Sequence, residues 1–133
     1  MIEMKPRVLI IDDDPSLARM LALTLKQTGL YETRDENHAM NALATARQFK
    51  PDLVVLDVMM PEMDGGDVLA QLRADAATKH TPVIFMTALV GSEEAPMGGM
   101  DSGGNRFLPK PVSCVELTQC IESILGEQQV PPK

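Results

Sequence analysis

Two apolar patterns alternate along this chain. Short unbroken runs, Val8-Leu9-Ile10-Ile11, Leu53-Val54-Val55-Leu56 and Val83-Ile84-Phe85-Met86, predict strands buried on both faces. The segments between them carry apolar residues at helical spacing. Leu17, Met20, Leu21 and Leu25 form one such face, with Asp14 as N-cap and Pro15 at the first helical position. Thr28-Gly29 ends that helix. Strands are predicted at residues 7–11, 31–34, 53–56, 82–87 and 107–109, the second short, polar and near an edge. Further helices are predicted at 39–49, 67–74 and 112–125. Ala39, Leu43, Ala46 and Phe49 share a side of one; Val115, Leu117, Cys120, Ile121 and Ile124 belong to the last.

Strand and helix alternate throughout, which implies an α/β fold with a doubly wound parallel sheet of five strands. Right-handed crossovers place all the strand C-termini on one edge, where ligands bind. One segment fits poorly. Alternation calls for a fourth helix between Gly91 and Gly104, but five of the nine glycines lie there, together with Pro96. Proline inside a helix costs ~3 kcal/mol and each glycine ~1 kcal/mol against alanine. That helix is expected to be weak, shifted or mobile.

Four of the predicted strands deliver polar groups to the common edge. Ile11 runs into Asp12, Asp13 and Asp14; Leu56 into Asp57; Met86 into Thr87; Pro109 into Lys110. Three carboxylates at close range oppose joint ionisation, so one holds a proton or a cation binds. Hard oxygen ligands favour Mg²⁺, completed by water and phosphate oxygens. With Lys110 and Thr87 beside it, Asp57 is placed as a nucleophile toward phosphorus, forming an acyl phosphate. A carboxylate abutting a buried apolar run is costly without such a partner. Asp64, before Gly65-Gly66, reads as a turn or cap residue.

The 133 residues suit one domain, which at this size buries roughly two-thirds of its unfolded surface. A net charge of -7 argues against nucleic acid or an anionic membrane as a direct partner. No apolar stretch approaches the ~20 residues of a membrane helix. The first residues, Met1-Ile2-Glu3-Met4-Lys5, lack the apolar core of a signal peptide, so a cytoplasmic location is expected. Cys114 and Cys120 point to different helix faces and read as unpaired, buried or half-buried residues; His38 and His80 read as surface residues. The ten methionines read as core filler.

At the edge residues the chain resembles a receiver domain of bacterial two-component response regulators, over residues 5–125. The motifs that carry the resemblance are Val8-Leu9-Ile10-Ile11-Asp12-Asp13-Asp14-Pro15, then 51–65 from Pro51-Asp52 through Pro61-Glu62-Met63-Asp64-Gly65, then Met86-Thr87-Ala88, then Phe107-Leu108-Pro109-Lys110-Pro111. The resemblance implies a flavodoxin-like sheet of order 2-1-3-4-5. It implies that Asp57 accepts a phosphoryl group from a phosphohistidine on a histidine kinase or phosphotransfer protein. It implies Mg²⁺ bound by Asp13, Asp57 and the Met59 backbone carbonyl, with Asp12 acting through water. Thr87 and Lys110 would contact the phosphoryl oxygens. Phe107 would be the switch aromatic that follows Thr87 and alters the face formed by the fourth helix, fifth strand and fifth helix. The Lys110-Pro111 bond would be cis. The weak fourth helix suggests an output face partly disordered until phosphorylation or a partner orders it. Met59 and Leu89, both bulky and apolar, would hinder the hydrolytic water and lengthen the phosphate's life.

Such a domain is a signalling switch, not an enzyme with an external product; its chemistry is phosphorylation of Asp57 and slow self-dephosphorylation. Two other readings stand beside it. Asp12-Asp13-Asp14-Pro15-Ser16 resembles the start of haloacid-dehalogenase-type phosphatases, with Asp12 as nucleophile and Asp14 as acid/base, but Asp57 then goes unexplained. The other is a phosphorylation-independent interaction domain on the same fold. Residues 126–133 are expected to be a flexible tail. The downstream partner or output domain is unknown, and stand-alone protein, fragment of a longer chain and homodimer all remain open.

Overall fold

The structure, a computed structural model, describes residues 5–87, 100–102, 105–110 and 112–129. The elements run β1 (Arg7–Ile11), α1 (Pro15–Gln27), β2 (Glu32–Glu36), a short 3₁₀ turn (Ala39–Asn41), α2 (Ala42–Phe49), β3 (Leu53–Asp57), α3 (Gly65–Ala74), β4 (Val83–Thr87), β5 (Met100–Ser102), β6 (Asn105–Pro109) and α4 (Cys114–Gln129). The sheet order is β2-β1-β3-β4-β6-β5. The five predicted strands are parallel neighbours in the expected order, with β6 as the fifth.

The apolar runs work because the sheet is covered twice. Val8, Ile10, Leu53, Val55, Ile84, Met86 and Leu108 face one way, against α1 and α4. Leu9, Ile11, Val54, Leu56, Val83 and Phe85 face the other, against α2 and α3. Strand side chains alternate between faces, so both sets must be apolar and the run is unbroken. Helix ends follow from local chemistry. Asp14 Oδ1 accepts the Ser16 and Leu17 N–H groups at 3.0 and 3.2 Å, and Pro15 needs no partner at the first position. Gly29 takes a φ of 78° just past α1, a conformation glycine adopts without steric cost.

Several expectations are revised. The second strand lies at Glu32–Glu36 because its pairing with β1 runs from Arg7↔Glu32 to Ile11↔Glu36. The third helix begins earlier, at Gly65, because Asp64 and Asp67 cap it reciprocally. The last helix starts at Cys114 and continues past Leu125 to Gln129, into part of the expected tail. Most of the segment expected to hold a weak fourth helix lies outside the described residues, as do Leu89 and Pro111, and with Pro111 the expected cis bond. Its described end, Met100–Ser102, is a strand antiparallel to β6, which the sequence pattern did not predict. The methionine reading holds for Met60 and Met86, which are buried, but Met20, Met40 and Met59 are exposed. Cys120 is buried, Cys114 half-buried, and both are free. His38 and His80 are exposed. Among the described residues, no helix is long and apolar enough to cross a membrane.

Candidate functional site

Four parallel strand ends build the site. At the end of β1, the Asp12 N–H donates to the Glu36 carbonyl at 3.1 Å, which fixes the strand exit. Three consecutive aspartates then diverge. Asp12 is fully buried, Asp13 is exposed, and Asp14 caps α1. The Asp14 N–H donates to Asp12 Oδ1 at 2.9 Å, which orients the Asp12 carboxylate. Asp57 closes β3 and is buried; its register partner on β4 is Met86, so Thr87 lies one position further on. Thr87 is also buried, and its carbonyl accepts the Lys110 N–H at 2.9 Å. That bond continues the β4–β6 ladder and brings Lys110 to the same edge.

The Lys110 ammonium bridges two carboxylates, lying 2.9 Å from Asp12 Oδ2 and 3.2 Å from Asp57 Oδ1. Burial works to lower the Lys110 pKa, but the contacts with Asp12 and Asp57 outweigh it, and the net shift is upward. The Asp57 carboxyl is pushed up to about 6, chiefly by burial, then by the charge of Asp12. Lys110 opposes that rise, and a hydrogen bond with Asp13 adds to it.

One oxygen from each of Asp12, Asp13 and Asp57 lies within 4.8 Å of the others. Three carboxylates against one ammonium leave the site short of positive charge. Asp12 Oδ2 is buried and, its ion pair with Lys110 aside, accepts no hydrogen bond. A hard divalent cation fits this donor set, and exposed Asp13 keeps an approach open to water.

The predicted residues Asp12, Asp13, Asp57, Thr87 and Lys110 are therefore together. Met59 lies two residues past Asp57 and is 59% exposed. Phe107 is placed by its own strand pairing. It is half-buried on β6 and stacks on Phe85, its register partner on β4, with ring centroids 5.0 Å apart. The sequence shows Gly65 only as part of a turn; in the fold it packs directly on the Asp57 backbone carbonyl. Its place between an aspartate cap and a second glycine marks a turn, but the contact depends on how α3 meets β3.

The family model for the response regulator receiver domain matches residues 8–122. The chain belongs to that family. This receiver domain is 37% identical over 120 residues to the DNA-binding dual master transcriptional regulator RpaA of Synechocystis sp., covering 90% of the chain and 49% of RpaA. It is 36% identical over 129 residues to the DNA-binding response regulator MtrA of Mycolicibacterium smegmatis, covering 97% of the chain and 54% of MtrA. The receiver domain thus spans about half the length of these two relatives. It also superimposes on the receiver domain of a Francisella response regulator with a TM-score of 0.76 at 30% identity, covering 94% of the chain and all of that domain. Receiver domains are signalling domains, and the phosphatase reading is not favoured. Asp14, its expected acid/base, is engaged in capping α1.

Proposed function

We propose that Asp57 of this receiver domain accepts a phosphoryl group from a phosphohistidine of a histidine kinase or phosphotransfer protein. The observation that carries this reading is the buried Asp57 carboxylate held beside Asp12, Asp13 and Lys110 at the end of β3. An Asp57 oxygen attacks phosphorus, the P–N bond breaks, and its electron pair leaves on the imidazole. Asp13, Asp57 and the Met59 carbonyl would hold Mg²⁺, with Asp12 acting through water. When bound, the ion offsets charge on the phosphoryl oxygens. Lys110, already against Asp57, supplies the protein's own positive charge, and Thr87 would donate a hydrogen bond. The acyl phosphate is then lost slowly to water, with Met59 and Leu89 hindering its approach.

In this reading Phe107 follows Thr87, and the face that includes β6 and α4 passes the change to a downstream protein or an attached output domain. Residues 5–125 are the functional unit, in a cytoplasmic protein. Two relatives are named as DNA-binding, and each is about twice as long. A DNA-binding partner domain is therefore one form the output could take.

The test is phosphorylation with phosphoramidate in the presence and absence of Mg²⁺, followed by mass spectrometry. The expected result is one Mg²⁺-dependent phosphoryl group mapped to Asp57 and absent from Asp57→Asn. Mapping to Asp12 would restore the phosphatase reading. No incorporation would leave a phosphorylation-independent interaction domain.

A further inference from the structure

The loop that leaves the site returns to it within a few residues. After Asp57 the chain runs through Val58, Met59 and Pro61 to Asp64, then enters α3 at Gly65. The Gly65 N–H donates to the Val58 carbonyl at 2.8 Å, which closes the loop on the end of β3. That closure brings Gly65 so close that a Cβ would lie 2.7 Å from the Asp57 carbonyl oxygen and 3.0 Å from Val58 Cα. A third neighbour, the Phe85 ring, would be 3.1 Å away.

Two of these three neighbours are backbone atoms of the phosphorylatable strand end, so no rotamer change relieves the clash. Conformation is not the reason for glycine here. The positive-φ glycine among the described residues is Gly29, so the Gly65 backbone would itself admit an alanine. Gly66 provides the contrast within the same turn. It is exposed, and a Cβ there would meet only the Asp64 carboxylate, at 3.2 Å.

We propose that Gly65 is a positioning residue for the cation and phosphoryl site. Its bare Cα lets the start of α3 seat against the Asp57 carbonyl, and so fixes the loop that carries the Met59 carbonyl. The proposal rests on the reading of Asp57 and Met59 given above. A side chain at Gly65 displaces the loop from the strand end, moving Met59 relative to Asp13 and Asp57. Outer groups that orient metal ligands typically change metal affinity by about 10- to 100-fold when altered.

The experiment compares Gly65→Ala, Gly66→Ala and the unaltered protein. Mg²⁺ affinity is measured by calorimetry without any phosphoryl donor, and folding by circular dichroism. Gly65→Ala is expected to weaken Mg²⁺ binding about tenfold or more. Gly66→Ala should leave it unchanged, although both exchange glycine for alanine in the first turn of α3. Folded Gly65→Ala with wild-type affinity overturns the proposal.

A second arm needs no variant. Amide exchange of Gly65, whose N–H closes the loop, is followed with and without Mg²⁺. Its protection should rise more than that of Val68 and Leu72 within α3; an equal rise, or none, overturns the proposal even if Gly65→Ala fails to fold. Absence of Mg²⁺ binding by the unaltered protein would instead overturn the cation reading beneath it.

Discussion

A carboxyl with a pKa of about 6 makes Asp57 a residue whose ionisation opposes folding when no cation is bound. Its folded value lies above the ordinary 3.8, so its contribution to stability is complete below about pH 3.8 and is lost as pH rises through about 6. Asp57→Asn removes that charge. In chelator at neutral pH it should raise stability on the order of 2 kcal/mol, with the difference vanishing in acid. Thermal denaturation of both proteins across that range checks the sign. Lys110→Met acts oppositely, because it leaves Asp12 and Asp57 buried without their cation. A loss of about 3 kcal/mol is expected in urea denaturation, partly restored by Mg²⁺. These residues were legible in the sequence because each directly follows an apolar run. Gly65 was not, because its contact spans two elements. The Phe85–Phe107 stack was hidden for the same reason: it depends on β4 pairing with β6.

At the scale of elements, the loop from α3 to β4 is organised by one side chain. Arg73 Nη1 donates to the Thr81 carbonyl at 2.6 Å and reaches those of Lys79 and Thr78 at 3.3 and 3.4 Å. Burial lowers the Arg73 pKa from its ordinary value. Arg73→Met keeps much of the packing and removes the donors. It should cost on the order of 1–2 kcal/mol in urea denaturation with an unchanged slope, and leave Mg²⁺ affinity intact. The sequence marked where elements exist better than where they end. Strand β2 has no apolar run to mark its limits, so its extent is set by pairing with β1. The Asp64–Asp67 capping box moves the start of α3 to Gly65, whereas the pattern alone suggested residue 67. Nothing in the glycine-rich stretch signalled β5, because three residues are too few to show periodicity.

For the molecule as a whole, a cation held at the proposed site would couple local chemistry to global stability. A ligand bound only by the folded state stabilises it by about 2.7 kcal/mol at one hundred times its dissociation constant. Mg²⁺ at that ratio should raise the melting temperature at neutral pH, and raise it less in acid, where Asp57 holds a proton. Asp57→Asn should blunt the effect. The architecture itself was readable because strands buried on both faces admit few layered arrangements. The same arrangement has a practical corollary. Strand β1 starts at the end of the sheet opposite the aspartates, which follow its last residue. Tethering the protein to a surface near Arg7 would leave the aspartate edge facing solution, a favourable orientation for a sensor chip that reads phosphoryl transfer directly.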